Sequence, residues 1–136
     1  MKNENRKIGT AFEQRLCVSL SAYGFWAHNL AQNKQGQPFD VMASRNGRTH
    51  PIDAKVCEKD VFKLSRMEEN QISAMTLWRE TGNGEGWFAL EMSNGAVYFI
   101  RFSVLMELDA LGVSSLNEKQ IRRYGITLGE WVMQCE

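Results

Sequence analysis

The sequence predicts an α+β protein in which helices pack on a central mixed sheet. Apolar residues recur at helical spacing in residues 5–23 and 66–81. Strand-like alternation flanks two Asn-Gly pairs, which are strong signals for β-hairpins. The chain has 136 residues, of which 43% are hydrophobic and 24% charged, as in an ordinary globular protein. We therefore expect residues 1–136 to form one domain around one core.

The first predicted helix runs from about residue 5 to residue 23. Its apolar stripe is formed by Ile8, Phe12, Leu16, Leu20 and Tyr23, and Gly24 ends it. The stripe extends back to Ile8, so Asn3 or Asn5 is the expected N-cap. "FWAHNL" (25–30) then predicts a short strand, and "AQNKQGQ" (31–37) a polar loop.

The next segments predict a hairpin and a second helix. Residues 38–58 form two strands that turn at Asn46-Gly47, and "KDVFKL" (59–64) is a connection. A helix follows from about 66 to 81, because Ser65 and Glu68 fit a capping box and Gly82 fits a stop.

The last third of the chain predicts a hairpin and a helical tail. Residues 86–103 alternate around Asn94-Gly95, which predicts a second hairpin. "VLMELDALG" (104–112) and "NEKQIRRYG" (117–125) predict two short helices. The predicted order is thus α-β-β-β-α-β-β, followed by a helical tail over about 103–136.

The composition argues against a membrane protein, a secreted protein and a zinc-binding or disulfide-rich protein. No apolar run has the length of a membrane span, and the polar start is not typical of a signal peptide. Cys17, Cys57 and Cys135 are too few and too widely spaced for a zinc site or a disulfide framework. We therefore expect a protein of the reducing cytoplasm.

Charge is distributed unevenly along the chain. Residues 1–66 hold 11 Lys and Arg against 6 Asp and Glu, a net charge of +5, and residues 67–136 hold 5 against 10, a net charge of −5. This asymmetry favours a surface for a polyanion in the first half of the chain. The alternative is chance sorting of surface charge.

The first hairpin predicts a carboxylate pair. With Asn46-Gly47 as the two central residues of a type I′ turn, Arg45 faces Arg48, and Asp40 then lies opposite Asp53. Directly opposed side chains share a face and have Cβ atoms about 4.5–5.5 Å apart. Two like charges at that distance destabilise a sheet, and a divalent cation between them is the simplest reason to keep them. The register holds only in the absence of a bulge or a longer loop.

Lys55 extends this charged face. It lies two residues after Asp53, so both side chains point to the same side of the strand. A metal-binding acid pair with a nearby ammonium suits phosphodiester hydrolysis: the metal activates water and neutralises the phosphate, and the lysine orients that water or stabilises the developing charge. The alternative is a solvated Asp/Lys pair on an exposed strand.

Two further polar residues fall on predicted buried faces. Glu13 lies beside the stripe of the first helix and is expected near the sheet, although Thr10 and Glu13 also fit a capping box. Gln71 is the odd polar residue on the predicted buried face of its helix, which also carries Met67, Met75 and Trp78. A buried amide needs partners, and a core glutamine satisfied by its neighbours is the alternative to a site residue.

Four motifs in this order resemble the PD-(D/E)xK nuclease superfamily, within it the Holliday junction resolvases of the RecU and Hjc type. "NRKIGTAFE" (5–13) resembles the opening of RecU-like proteins, and "PFDVMA" (38–43) their first metal-binding strand. "IDAKVCEKDVFKL" (52–64) resembles the acid-x-Lys strand, and "MEENQISAM" (67–75) the His-Gln-Ile helix, with Asn70 where the histidine usually stands. The resemblance covers roughly residues 5–102.

The resemblance implies a restriction-endonuclease-like α-β-β-β-α-β core and a metal-dependent, structure-specific DNA endonuclease that resolves four-way junctions by paired nicks. It implies Mg²⁺, with Mn²⁺ as a substitute, and a homodimer on branched DNA. The second acid is Asp rather than the commoner Glu, and the long junction-entering insertion of RecU proteins is not identified. The implied metal ligands are Glu13, Asp40, Asp53 and the Ala54 carbonyl, with Lys55 catalytic and Gln71 supporting the site.

Basic residues near these motifs are candidates for phosphate contacts, which position DNA without reading its sequence. For each of them, ordinary surface basicity is the alternative. The four tryptophans, Trp26, Trp78, Trp87 and Trp131, are expected in the core or in a dimer interface, with base stacking on DNA as the alternative. The predicted DNA-contacting residues are Lys2, Arg6, Lys7, Arg45, Arg48, Lys59, Lys63 and Arg66.

Two alternatives to the junction resolvase remain open from the sequence. One is another PD-(D/E)xK nuclease that acts on flaps, ends or duplex DNA. The other is a non-catalytic DNA-binding or inhibitory protein on the same fold, against which the intact acid set argues. The compact size suits a phage or bacterial protein that acts in the cytoplasm at the nucleoid.

Overall fold

The computed structural model describes residues 2–30 and 38–135, without the side chains of Lys2, Asn3 and Asn5. The loop predicted for residues 31–37 therefore lies outside the described residues, as do the side chains of the two predicted N-cap candidates. In chain order the elements are α1 (Lys2–Ala22), β1 (Trp26–Asn29), β2 (Val41–Arg45), β3 (Arg48–Cys57), β4 (Val61–Lys63), a 3₁₀ turn (Leu64–Arg66), α2 (Glu69–Glu80), β5 (Trp87–Met92), β6 (Val97–Arg101), α3 (Phe102–Ala110), β7 (Ser115–Asn117), α4 (Glu118–Tyr124), β8 (Ile126–Thr127) and α5 (Leu128–Gln134).

Helix α1 forms around the predicted apolar stripe. Phe12, Leu16 and Leu20 are buried, whereas Ile8 at the start of the stripe is exposed. The helix already includes residues 3 and 5, so it begins earlier than the sequence predicts. It ends at Ala22, and Gly24 follows with a φ of +87°, a left-handed conformation that glycine adopts without strain.

Both predicted hairpins are present, and the first has the predicted register. Arg45 pairs with Arg48, and the pairing continues to Val41 opposite Ile52. Asn46 and Gly47 both have positive φ, as a type I′ turn requires. The second hairpin joins β5 and β6 through a turn that contains Gly95.

The central sheet is mixed, which confirms the predicted α+β class. Its strand order is β1-β2-β3-β5-β6-β8, and only β3 and β5 run parallel among its described pairs. Helices α1 and α5 contribute to the hydrophobic cluster on one face of the sheet, and helices α2, α3 and α4 to the cluster on the other. The result is a sheet covered by helices on both sides.

The C-terminal third and one connection differ from the sequence prediction. "KDVFKL" is not a simple connection, because β4 lies within it and pairs with β7. Both predicted tail helices exist as α3 and α4, but β7, β8 and α5 were not predicted. Strand β8 joins the edge of the central sheet through its pairing with β6. The tail is thus part of the core rather than an appendage.

The tryptophans differ in their surroundings. Trp87 and Trp131 are buried, and Trp131 stacks on Phe99 with ring centroids 4.5 Å apart. Trp26 is instead 64% exposed on the edge strand β1. Of its two predicted places, Trp26 is therefore not in the core, and a place in a dimer interface stays a prediction.

Two findings bear on the environment of the chain. Within residues 2–30 and 38–135, no helix has both the length and the apolar character needed to cross a bilayer. Cys17, Cys57 and Cys135 are free thiols. The reducing cytoplasm inferred from the cysteines stays a prediction.

Candidate active site

Four buried polar side chains mark one place in the fold. In the described part of the chain, the buried polar or charged residues are Glu13, Asp40, Asp53 and Gln71. Burying a carboxylate costs free energy unless it is paired or binds a cation. The sequence predicted the same four residues as the acids and the amide of a site.

Glu13 reaches the site from helix α1. The helix begins well before Thr10, so Glu13 lies in mid-helix and not in the capping position that was its alternative. Its neighbour Phe12 is buried against the sheet, and Glu13 itself is only 8% exposed. The apolar stripe of α1 therefore carries Glu13 to the sheet.

The hairpin brings Asp40 and Asp53 together. Asp40 directly precedes β2, and its backbone N–H donates to the carbonyl of Ile52. Its side chain also accepts a hydrogen bond at Oδ2 from the N–H of Ala54, at 2.8 Å. The described strand pairing ends one residue earlier, at Val41 and Ile52, so Asp40 continues the predicted register just beyond the strand.

Asp53 is completely buried on the central strand β3. The Nζ atom of Lys55 lies 3.3 Å from its Oδ1, and the Lys55 side chain is 13% exposed. Neither Asp53 oxygen accepts a hydrogen bond of good geometry from the described residues, so the contact with Lys55 is an ion pair. Both side chains thus point to the same side of β3, as predicted, and one ammonium is the main countercharge for Asp53.

Burial and mutual repulsion raise the pKa of two of the acids. Burial, followed by the negative charge of Asp40, raises the pKa of Glu13 to about 7. The same two causes, in the same order, raise the pKa of Asp53 well above its usual range, against the opposing effect of Lys55. The site therefore has more negative charge than its own cations neutralise.

The oxygen ligands of the site fit a hard divalent cation, although the described side chains do not form a complete coordination shell. Carboxylate and carbonyl oxygens are the ligands that Mg²⁺ prefers, and the buried Asp53 carboxylate has the Lys55 ion pair but no well-formed hydrogen bond within the described residues. In the described ranges, no three acidic, histidine or cysteine side chains already enclose a metal position. A cation would supply the charge that the site lacks.

Gln71 enters the site from the start of helix α2. Its Oε1 accepts a hydrogen bond from the backbone N–H of Glu68 at 3.0 Å. Helix α2 begins at Glu69, so the capping box is formed by Glu68 and Gln71, not by Ser65 and Glu68 as predicted. Ser65 belongs to the preceding 3₁₀ turn. Gln71 is thus buried and fixes the helix start beside the acids.

An open groove of about 970 Å³ runs over the site. Glu13, Asp40 and Lys55 line it, together with Gln71 at one side. Most of its basic residues come from α1 and from the segment after β3. The basic residues that line the groove are Arg6, Lys55, Lys59, Lys63 and Arg66. Four of the eight predicted DNA-contacting residues are therefore collected here.

The other predicted DNA-contacting residues lie elsewhere. Arg48 is exposed beside the Asn46-Gly47 turn, and Lys7 is exposed but does not line the groove. The side chain of Lys2 lies outside the described residues. A DNA contact through any of these residues stays a prediction.

Arg45 is engaged within the protein. Its guanidinium donates to the carbonyls of Tyr23 and Val132, at 2.9 and 2.7 Å, and lies 4.2 Å from the ring centroid of Phe25. These contacts tie the hairpin to the end of α1 and to α5. They favour a structural role over the DNA contact predicted for Arg45.

Two polar residues next to Glu13 were not predicted. The Asn29 amide Nδ2 donates to Glu13 Oε1 at 3.3 Å, and the Cys17 thiol donates to Asn29 Oδ1 at 2.8 Å. The sequence contains one signal for this contact, because Cys17 lies four residues after Glu13 on the same helix face. Nothing local connects Asn29 to that face, since α1 and β1 meet only in the folded chain.

The sequence and the fold of this chain are both similar to those of known proteins. The sequence model of the archaeal Holliday junction resolvase (Hjc) family matches residues 4–134. The solved structure of Archaeoglobus fulgidus Hjc, a Holliday junction resolvase from an archaeal hyperthermophile, is similar with a TM-score of 0.65 and 22% sequence identity, over 92% of this chain and 95% of that chain. No curated protein sequence matches the chain. The family match includes the tail that the sequence resemblance left out.

Proposed function

Because this chain belongs to the archaeal Holliday junction resolvase (Hjc) family, we propose that its active site is the cluster of Glu13, Asp40, Asp53 and Lys55. The chain is a metal-dependent, structure-specific endonuclease that acts on branched DNA. The observation that carries the assignment of the site is the burial of the acids beneath a groove lined by basic residues. No other group of buried acids occurs within the described residues.

The proposed metal ligands are the carboxylates of Glu13, Asp40 and Asp53 and the carbonyl of Ala54. Their chemistry favours Mg²⁺, with Mn²⁺ as a substitute, because both are bound by hard oxygen donors. When bound, the ion supplies positive charge for the scissile phosphate and lowers the pKa of the attacking water. The burial of Asp53 with only partial compensation by Lys55 and the raised pKa of Glu13 support this site.

Lys55 has the proposed catalytic role. Its ammonium lies against Asp53 and also lines the groove, so it is within reach of a phosphate placed over the acids. From there it orients the attacking water or stabilises the charge that develops on the phosphate. Asp53 in turn holds the ammonium in place, and Gln71 fixes the start of α2 at the side of the site.

The groove supplies the proposed DNA surface. Arg6, Lys59, Lys63 and Arg66 line the same groove as the acids and present positive charge to a phosphate backbone. Arg66 is itself held by a hydrogen bond from Nη1 to the carbonyl of Val56, at 2.9 Å. Such contacts orient branched DNA without reading its sequence.

A homodimer is the proposed working form. A four-way junction has two equivalent strands to cut, whereas the described part of one chain holds one cluster of buried acids. Two copies related by a two-fold axis would place one site on each strand. The exposed Trp26 on the edge strand β1 supports an association surface. We also propose that the protein works in the cytoplasm at the nucleoid; its phage or bacterial origin stays a prediction.

The alternatives from the sequence are less well supported. Family membership favours an endonuclease over a non-catalytic DNA-binding or inhibitory protein. It also favours a junction over flaps, ends or duplex DNA as the substrate. The preference among DNA substrates is decided by a substrate panel.

Lys55→Ala is the test of the proposed site. We expect the rate of junction cleavage in Mg²⁺ to fall at least about 100-fold, because a charge-stabilising group is lost. Junction affinity measured in EDTA should stay within about two-fold, since one of several phosphate contacts changes. Lys119→Ala, at an exposed lysine of α4, is the matched control and should cleave normally.

A Lys55→Ala protein that cleaves at the wild-type rate would overturn the assignment. Removal of Lys55 leaves Asp53 as an uncompensated buried charge, so folding has to be checked by thermal unfolding. Lys55→Gln, which keeps a polar side chain of similar length, serves as the second variant if the alanine variant does not fold.

A further inference from the structure

We propose that Asn29 is a positioning residue that fixes the orientation of the Glu13 carboxylate, and that the Cys17 thiol fixes the orientation of the Asn29 amide. The inference rests on the proposed role of Glu13 as a metal ligand. It goes beyond that role by assigning two residues from outside the acid cluster. Neither residue lines the DNA groove.

The three side chains form a short hydrogen-bonded chain between α1 and β1. Cys17 Sγ donates to Asn29 Oδ1 at 2.8 Å, and Asn29 Nδ2 donates to Glu13 Oε1 at 3.3 Å. Asn29 is the last residue of β1 and pairs with Val41, the residue next to Asp40. The chain of hydrogen bonds therefore ends directly beside the acid cluster.

The chemistry of the partners fixes the orientation of the amide. An ionised carboxylate only accepts hydrogen bonds, so the NH₂ end of Asn29 faces Glu13. The carbonyl end then needs a donor, and the thiol of Cys17 supplies it. Burial, followed by the negative charge of Glu13, raises the pKa of Cys17 to about 11, which keeps the thiol protonated at neutral pH.

Glu13 needs such a support because it lies between two openings. One is the groove over the acid cluster, and the other is a separate hollow of about 510 Å³ between α1 and β1. Cys17 and Asn29 line only the second opening. A glutamate without a fixed partner can change rotamer between two open spaces. Metal binding must then restrict the side chain to one rotamer, and this loss of conformational entropy weakens the metal affinity.

The predicted consequence is a weaker metal site in Asn29→Ala. Groups that orient metal ligands are typically worth about 10- to 100-fold in metal affinity. We expect Mn²⁺ binding to the full chain without DNA, measured by isothermal titration calorimetry, to weaken about 10-fold. The Mg²⁺ concentration for half-maximal junction cleavage should rise by a similar factor, while the rate at saturating Mg²⁺ recovers to within about three-fold.

Cys17 provides a graded comparison. Cys17→Ala removes the donor and should weaken Mn²⁺ binding by a smaller factor than Asn29→Ala. Cys17→Ser keeps a donor and should restore most of the affinity lost in Cys17→Ala. Gln14→Ala is the control, because Gln14 is exposed on the same helix and lines the same hollow without a described contact to Glu13.

Two outcomes separate this inference from the proposed function. Unchanged Mn²⁺ affinity in Asn29→Ala, together with a loss of Mn²⁺ binding in Glu13→Gln, would overturn the inference and leave the metal site standing. Wild-type Mn²⁺ binding in Glu13→Gln would overturn the proposed role of Glu13 itself. If thermal unfolding shows that Asn29→Ala does not fold, the difference between Cys17→Ala and Cys17→Ser decides in the same way.

Discussion

At the scale of the residue, Asp53 is the acidic side chain whose complete burial costs the fold free energy. Burying a carboxylate without a well-formed hydrogen bond costs free energy, and the Lys55 ion pair compensates Asp53 only in part. An apolar residue would pack on β3 at lower cost. The arrangement is favourable when a cation completes it, which is why the burial of Asp53 is informative about function.

The raised pKa of Glu13 predicts how stability depends on pH without metal. The pKa is about 4.5 in the unfolded chain and about 7 in the folded chain, so the folded chain binds the extra proton between these values. Stability should therefore fall as pH rises from about 4.5 to 7, by about 3 kcal/mol for this group. The raised pKa of Asp53 acts in the same direction.

Glu13→Gln checks this prediction, because an amide does not titrate in that range. In urea denaturation with EDTA, the variant should be more stable than wild type at pH 8, and the difference should shrink toward pH 4.5. Added Mg²⁺ should stabilise the wild-type protein at pH 8 and the variant less. Equal stability of the two proteins in EDTA at pH 8 would contradict the burial of a charged Glu13.

At the scale of the element, the two hairpins and the first helix follow from local sequence. The Asn46-Gly47 turn sets the register that brings Asp40 to Asp53, so the acid pair could be predicted before any fold was known. The start of α2 could not be fixed in the same way, because Ser65–Glu68 and Glu68–Gln71 both fit a capping box. In the structure, Glu68 and Gln71 form the capping box of α2.

The tail shows where local signals are too weak. Strands β7 and β8 have three and two residues, and each pairs with a strand far away in the sequence. Helix α5 did leave a signal, since Thr127 and Glu130 form a capping box at its start. The contact of Asn29 with Glu13 left none, because it depends on how β1 docks on α1.

The different surroundings of Arg45 and of the groove lysines predict different roles. Arg45→Ala loses two hydrogen bonds and the stacking on Phe25, so unfolding free energy should fall by about 2 kcal/mol. Junction affinity should stay unchanged.

The double variant Lys59→Ala/Lys63→Ala should have the opposite effect. Its unfolding free energy should stay within about 0.5 kcal/mol of wild type. It should bind the junction more weakly, and the slope of log K against log salt concentration should be smaller by about two.

Urea denaturation and the fluorescence anisotropy of a labelled junction, in EDTA at several salt concentrations, measure both quantities. A stable Arg45→Ala protein with a reduced salt slope would instead place Arg45 on the DNA. Unchanged affinity in the lysine variant would remove the groove from the DNA surface.

At the scale of the whole molecule, the basic residues and the buried acids meet at the same groove. The sequence-level excess of positive charge in residues 1–66 becomes a groove, because α1 and the segment after β3 converge over the acids. The tail packs into the same core through Leu105, Leu116 and Ile121. One nuclease domain over residues 1–136 remains our proposal, and two such chains are needed for two symmetric cuts.

The most direct test of this account is the cleavage of a labelled four-way junction beside a matched flap and duplex, in Mg²⁺ and in EDTA, with every strand mapped. We expect paired nicks on two opposing strands of the junction, in Mg²⁺ alone, and intact flap and duplex. Flap or duplex cleavage as fast as junction cleavage, or cleavage that persists in EDTA, would contradict the account of a metal-dependent junction resolvase.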